Sequence, residues 1–318
     1  MAFYPRRYLT TNMTMTICIP LINGLREAMP ALALLKYNTS PDVNFLIIDN
    51  GSTDPVERYI RNYIKPKRLE FIRNEDNPGL IKNAQFAYEN TDSDILTWIH
   101  ADTYLYEKNW NKRIESYFKE MPDLGVVGLM GSQGCLPNGG RIQDVDYPEQ
   151  MSGWSNMVEA EIHGKRLKEP YHACAIFDNF FMSFSRKCLD ASKGFDQNYK
   201  YHHMTDRDAS LKSLRHGFKN IVTNIYCHHV GNIAASTPLY QEWQKKTMGN
   251  ATDSISVHIE NTRYFEKKWA EVLPLYYQDD FNFRTGLMPT PYKAVDEPDS
   301  EWRQLEYQGS KIVGYKNG

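Results

Sequence analysis

The chain has 318 residues, 41% of them hydrophobic, which is enough to bury one large core with an appendage. Its formal charge of −2 excludes the basic surplus that marks a nucleic-acid binder. No run reaches the roughly 18 to 20 apolar residues of a membrane span, and residues 1–13 lack the apolar core of a signal peptide.

Five dispersed cysteines (Cys18, Cys135, Cys174, Cys188, Cys227) without a C-x-x-C pair argue against a disulfide framework or a zinc knuckle and suit a reducing cytoplasm. A basic cluster at Arg58, Arg61, Lys65, Lys67, Arg68 and Arg73 reads as a solvated helix and turn; contact with an anionic membrane surface is its minority alternative.

In chain order, a β-type run at 15–20 ends in a loop at Asn23-Gly24, and helical character follows around Leu32 and Leu35. A second run at 44–49 ends at Asp49 and enters a tight turn, with Thr53 or Asp54 as helix cap and Pro55 at the first helical position. A third run at 69–73 precedes Asn77-Pro78-Gly79, after which Leu80, Ala84, Ala87 and Tyr88 make one helix face.

The fourth run, 95–99, delivers Asp102 to its C-terminal edge, where open α/β sheets bind ligands. Taken alone, an acid at that place is as readily a turn former. Trp110, Ile114, Tyr117 and Phe118 then repeat helical spacing, and 124–130 is a further strand candidate. Alternating strands and helices specify an α/β fold whose mostly parallel sheet is covered on both faces.

Residues 131–170 are rich in Gly, Pro, Asn and Gln, with weak periodicity apart from 157–162; such an insertion is commonly functional or mobile. Trp154 within it is a packed aromatic or a platform for an acceptor sugar. An apolar-aromatic run returns at 173–185, followed by helical spacing from Arg207 to a Gly217 cap, and by a last strand at 220–226 closed by His228-His229. Adjacent residues of an extended chain point to opposite faces, so one of these two imidazoles faces any site there. Beyond Pro238 the pattern is helical, and 278–318 reads as an extended tail over the domain or against another subunit.

Taken together, the motifs resemble the inverting glycosyltransferases of family two, with the GT-A (Rossmann-like) fold and a helical C-terminal extension. They occur in the family's order from about residue 14 to 269: Ile17-Cys18-Ile19-Pro20 then Asn23; Ile47-Ile48-Asp49-Asn50-Gly51-Ser52-Thr53-Asp54; Asn77-Pro78-Gly79 then Asn83; His100-Ala101-Asp102-Thr103; Gly194-Phe195-Asp196; Thr205-Asp206-Arg207-Asp208; His229-Val230-Gly231. Residues 261–269 are similar to the closing helix of bacterial polysaccharide enzymes of this type, rhamnosyltransferases included.

The resemblance implies a catalytic domain over 1–231, with a nucleotide-binding half at about 14–130 and an acceptor-binding half at 131–231, and an extension over 232–318 that is the candidate surface for a homo-oligomer. It implies a nucleoside-diphosphate sugar as donor, a hydroxyl of a glycan or other acceptor, a divalent cation (Mn2+ or Mg2+), and hexosyl transfer by single displacement. Asp102 and the His229 region, with His228 as its neighbour, would hold the cation; Asp206 would be the base. Pro20, Asn23, Asp49, Asn77, Gly79, Asn83 and Ala101 would line the nucleotide side, and Asp178 would contact donor sugar or acceptor.

His100 departs from the family's Asp-x-Asp spelling, which leaves its role open. Thr205 replaces an acid before Asp206, and Asp208 reads as a supporting or structural acid. Asp206 is also a natural cap for a helix over 207–216, and Asp49 a natural turn residue. Competing readings are a non-catalytic sugar-nucleotide or glycan-binding protein, a sugar-nucleotide nucleotidyltransferase, which the single Gly24 before Arg26 disfavours, and a metallohydrolase on His202, His203, His228 and His229, whose spacing matches no zinc signature.

Overall fold

Strand β1 (Met15–Leu21) is buried along its whole length, and its side chains alternate between two cores. Ile17 and Ile19 enter one cluster, with Ile47, Ile99, Val127 and Phe181 of other strands. Cys18 enters the other, with Leu46, Ile48, Leu96, Trp98 and Phe184. Strands that are apolar on both faces must be covered on both, which is the physical content of the alternating pattern.

The covering helices follow directly. Helix α1 (Leu25–Asn38) lays Leu32 and Leu35 on the first cluster. Helix α3 (Leu80–Glu89) lays Ala84 and Ala87 on the second. Between them come β2 (Asn44–Asn50), α2 (Val56–Tyr63) and β3 (Leu69–Asn74). Then follow β4 (Ile95–Ile99), β5 (Thr103–Leu105), α4 (Trp110–Glu120), whose Trp110 and Ile114 join the first cluster, and β6 (Leu124–Gly128).

In this computed structural model the described residues are 13–63, 69–142, 154–155, 166–231, 234, 237–248, 251–279, 282–285, 307–308 and 311–312. The expected periodicity at 157–162, the basic residues 65–68 and most of the 278–318 tail lie outside them.

The expected single strand at 124–130 is two, β6 and β7 (Met130–Ser132). Short strands β8 (Gly134–Cys135), β9 (Arg141–Ile142) and β10 (Trp154–Ser155) follow in the insertion, β10 pairing with β7. The run expected at 173–185 divides into β11 (Tyr171–Ala173), β12 (Ile176–Phe177) and β13 (Phe181–Ser185). Helices α5 (Arg186–Ser192) and α6 (Thr205–Arg215), then β14 (Lys219–Thr223) and β15 (Cys227–His229), complete this half.

The main sheet has eight strands in the order β11-β14-β6-β13-β4-β1-β2-β3. Its β1–β2, β2–β3, β1–β4 and β14–β6 pairs are parallel. Strand β13 runs antiparallel between β4 and β6. That insertion carries residues 178–180, just before β13, to the edge where β4 ends.

The extension is not a separate layer. Helices α7 (Pro238–Met248) and α8 (Ala251–Trp269) lead to β16 (Leu275–Asp279), which pairs with β8, and to β17 (Asn282–Thr285). Phe265, Trp269, Leu273 and Leu275 share a core with Cys135, Ile176, Tyr199 and Leu211 of the preceding half. Buried Asn261 of α8 clamps the turn before α6: its amide donates to Lys200 O (2.9 Å) and His202 O (2.7 Å), and its carbonyl accepts Lys200 N–H (2.9 Å). This turn needs such support, because Tyr201, His203 and Met204 all have positive φ (54°, 70° and 63°).

Candidate functional site

His100 follows the last residue of β4, and its N–H donates to the carbonyl of Phe180 (2.9 Å), the residue before the antiparallel neighbour β13. The chain then turns through Ala101 and Asp102 into β5, which pairs with β15 so that Thr103 faces His229. Val230 N–H donates to Asp102 O (3.2 Å) and closes the turn. Two short strands therefore carry His229 back over Asp102.

His229 Nε2 lies 3.2 Å from Asp102 Oδ1. One ligand atom each from His100, Asp102 and His229 fall within 4.8 Å of one another, the one such group of three among the described residues. The rings are held in place: His229 stacks on Phe180 (centroids 4.8 Å apart) and meets His100 edge-on (5.4 Å). His228 is not in this group. Strand alternation sends its ring to the other face, where it stacks on Tyr104 (5.7 Å), and the third member beside Asp102 and His229 is His100.

Burial, then the neighbouring His229, lowers the pKa of His100 to about 4, leaving a neutral ring at pH 7. Its Nε2 is buried without a hydrogen-bond partner. Burial opposes ionisation of Asp102, but the hydrogen bond with His229 outweighs it and holds the carboxyl below its usual range. An orphaned buried nitrogen, a second imidazole and an ionised carboxylate fit a divalent cation.

Asp178, just before β13, receives Phe180 N–H at Oδ1 (3.4 Å) and pairs through Oδ2 with Arg141 Nη2 (2.5 Å). Burial disfavours its charge; Arg141 first, then Arg207, His229 and His100, reverse that and hold it well below the carboxylate range. Asp178 thus stands in electrostatic reach of both the imidazole cluster and Arg207. Arg207 in turn contacts both carboxylate oxygens of Asp206 through Nη1 (2.8 Å each) and donates from Nε to Gly139 O (3.0 Å). Neither Arg141 nor Arg207 was given a role from the sequence; the folded chain pairs them with Asp178 and Asp206.

Asp206 is 5% exposed and lines a small cavity with Trp98, Asn179 and Thr205. It is not the helix cap expected from the sequence. Helix α6 begins at Thr205 after a left-handed Met204, because the clamped turn brings the chain in early. Asp208 is structural: it accepts from Tyr199 Oη (3.0 Å) and Trp269 Nε1 (2.9 Å) and pairs with Lys268 (2.6 Å).

The residues expected on the nucleotide side lie at the same sheet edge in a web of mutual bonds. Pro20 is buried at the end of β1, in register with Ile48, and Ala101 packs against the first core. Asn23 (φ 45°) accepts Thr53 N–H (2.7 Å) and Asp54 N–H (3.1 Å), joining the loops after β1 and β2. Asp49 is fully shielded, accepting Ser52 N–H (3.0 Å) and pairing with Arg73, whose side chain is 52% exposed. Asn83 donates to Asn50 Oδ1 (3.0 Å).

Asn77 accepts Gly79 N–H (3.0 Å), and Trp243 of α7 donates to its carbonyl (2.8 Å). Gly79 (φ 90°) is required where it stands, since a Cβ there would sit 2.7 Å from Tyr201 Cα. The loop after Asn77 is thereby packed against the turn that leads to Asp206.

That turn also predicts a pH response. Burial, then neighbouring imidazoles, lowers His202 to about 4 and His203 to about 2, with Arg207 adding to the effect on His203. In the unfolded chain these rings take a proton below about pH 6.5, so the unfolded state binds more protons and stability falls as pH drops from 6.5 toward 4. The urea midpoint should fall between pH 7 and 4.5, and less so in His203→Asn, where Asn tolerates the left-handed backbone. An equal fall in both proteins would remove His203 from this account.

Comparison with known proteins bears on the family and the fold. A profile of glycosyl transferase family 2 matches residues 16–192, more than half of the chain. No curated protein sequence matches significantly. Among solved structures, a mannosyltransferase from Pyrobaculum calidifontis, PcManGT, in complex with GDP-Man and Mn2+ is similar with a TM-score of 0.50 and 14% identity over 83% of this chain and 71% of that one.

S. aureus TarS 1-349 in complex with UDP-GlcNAc is similar with a TM-score of 0.50 and 14% identity, over 81% of this chain and 72% of that one. GalNAc-T7 with UDP, GalNAc and Mn2+ gives a TM-score of 0.54 at 14% identity over 81% of this chain, which spans 55% of that longer protein. These likenesses establish the GT-A fold, a mostly parallel sheet flanked by helices. The order of motifs, the sheet that presents them and the profile match agree: this chain belongs to glycosyl transferase family 2.

Proposed function

We propose that the protein is an inverting glycosyltransferase that moves a hexosyl group from a nucleoside-diphosphate sugar to a hydroxyl of a glycan or related acceptor. The observation that carries this is the His100–Asp102–His229 group at the end of β4, with the buried carboxylate of Asp206 held by Arg207 and the carboxylate of Asp178 held by Arg141. A candidate cation site and a buried carboxylate suit displacement with a departing diphosphate and an entering alcohol on opposite faces of the sugar.

Asp102, His229 and His100 would hold a divalent cation, which when bound offsets the charge gathering on the departing diphosphate. Asp206 accepts the acceptor's hydroxyl proton at one carboxylate oxygen. Arg207 orients that carboxylate by contacting both oxygens, and gives up part of this contact as the proton arrives. Asp178, fixed by Arg141, is placed to accept hydroxyls of the sugar.

On the nucleotide side, Pro20, Asn23, Asn77, Gly79, Asn83 and Ala101 shape the loops after β1, β3 and β4. A base contact to Asp49 requires the half-exposed Arg73 to swing off its carboxylate. Residues 131–231 supply the acceptor side, and the extension over 232–318 buttresses it through α8. No helix among the described residues is long and apolar enough to cross a membrane, and all five cysteines are buried free thiols, which suits a cytoplasmic setting.

The test is a panel of UDP-, dTDP- and GDP-sugars screened by thermal shift with Mn2+. Binding to the folded state raises stability with the logarithm of saturation, by about 2.7 kcal/mol at a hundredfold excess over Kd. One donor class should shift the midpoint and undergo slow metal-dependent hydrolysis. If no nucleotide shifts it with or without metal, the transferase reading is wrong; binding without any turnover would support the non-catalytic alternative.

A further inference from the structure

The cation site differs from a pair of carboxylates in its donor chemistry. Its group contains two imidazole nitrogens and one carboxylate, each offering one atom within 4.8 Å of the others. Mg2+ prefers an octahedral shell of oxygens and sheds water reluctantly. Imidazole suits later first-row ions, whose affinity for mixed N/O sites rises from Mn2+ through Co2+.

His100 is the residue that tips the balance. As a core histidine it should have both ring nitrogens satisfied, yet Nε2 is buried without a partner. Its backbone is pinned by the bond to Phe180 O (2.9 Å), and its ring rests edge-on against His229, itself stacked on Phe180. Two rings locked in this way present their nitrogens without further ordering, which favours ions that bind nitrogen well.

We propose that His100 is a specificity-determining ligand that makes this site select Co2+ and Zn2+ over Mn2+, and Mn2+ over Mg2+. The inference deepens the cation-site reading of the same group and does not depend on which sugar is transferred. Replacing His100 by Asp should restore an oxygen-rich site in which Mg2+ competes.

Calorimetric titration of the metal-stripped full chain with Mg2+, Mn2+, Co2+ and Zn2+, without nucleotide, reads the ranking directly. In the parent, Co2+ should bind more tightly than Mg2+ by on the order of tenfold or more. In His100→Asp, Co2+ should weaken by about tenfold while Mg2+ strengthens, so that the two converge. Pulsed electron paramagnetic resonance of bound Mn2+ should detect two imidazole nitrogens in the parent and one in the variant.

Equal affinity for Mg2+ and Co2+ in the parent, an unchanged ranking in His100→Asp, or a single nitrogen coupled to Mn2+ in the parent would each overturn the proposal. Should His100→Asp lose its fold by circular dichroism, His100→Asn takes its place, with weakened Co2+ binding and no gain for Mg2+ as the supporting result and an unchanged ranking as the contrary one. A protein that ranks ions as stated but neither binds nor cleaves any nucleoside-diphosphate sugar overturns the transferase reading alone. One that transfers sugar while holding Mg2+ as tightly as Co2+ overturns this inference alone.

Discussion

Asp206→Asn should keep donor binding and lose glycosyl transfer by about 10²- to 10⁴-fold, the usual worth of a positioned general base. Asn preserves the size of the side chain and an oxygen for Arg207, so the cavity lined by Trp98, Asn179 and Thr205 keeps its shape. It cannot take the acceptor's proton. The substitution also leaves the guanidinium of Arg207 without its carboxylate, and removing one member of a buried pair costs about 3–5 kcal/mol.

Here the cost should fall at the low end, because Arg207 keeps Gly139 O at 3.0 Å and has Asp178 nearby. Activity must therefore be measured well below the variant's own melting midpoint, with donor affinity measured separately. A kcat loss at unchanged donor affinity is the expected split. Turnover equal to the parent's would remove Asp206 as the base.

Asp102→Ala should abolish metal-dependent donor binding. Loss of a group that merely supports a metal ligand costs roughly 10- to 100-fold in affinity, and Asp102 is the only carboxylate of the three-residue cluster. The fold should survive, because Asp102 contributes to the turn through its main chain, its carbonyl accepting Val230 N–H at 3.2 Å. Titrating UDP, dTDP and GDP with and without Mn2+ separates the two effects. The parent should bind one nucleotide more tightly with metal; the variant should bind it equally weakly either way. A variant that retains the metal effect would move the cation site elsewhere.

Much of the site could be read from residues close together in the chain. Asp102 stands three residues after a run of five buried residues, 95–99, and a strand followed so soon by a carboxylate is visible in one dimension. The alternation of side chains likewise showed that only one of His228 and His229 could face inward. Which one did so depended on β15 pairing with β5 in a register that sets His229 against Thr103. His100 was spelled in the metal motif yet could not be assigned, since its partner His229 lies most of a domain further along the chain, beyond many strands and helices.

The second half was less legible for the same reason. Strand β13 enters between β4 and β6 against their direction, and nothing in its own composition states an order across the sheet. The helix cap expected at Asp206 was displaced to Met204 by a turn that Asn261 holds from a helix about 60 residues on, at a separation of |i−j| = 61 from Lys200. Local propensity could not foresee a clamp supplied from so far along the chain.

By itself the sequence determined the alternating α/β plan, the acids at the strand ends and the order of motifs, because these follow from side-chain period, turn chemistry and spacing within a few residues. Only the tertiary structure decided that His100 joins His229 beside Asp102, that Arg141 and Arg207 pair with Asp178 and Asp206, and that the long C-terminal helix α8 shares a core with the preceding half. Those outcomes rest on burial and charge pairing between distant segments. Such contacts form only when strand order and register bring the segments together, so they are written in the fold and not in any one stretch of the chain.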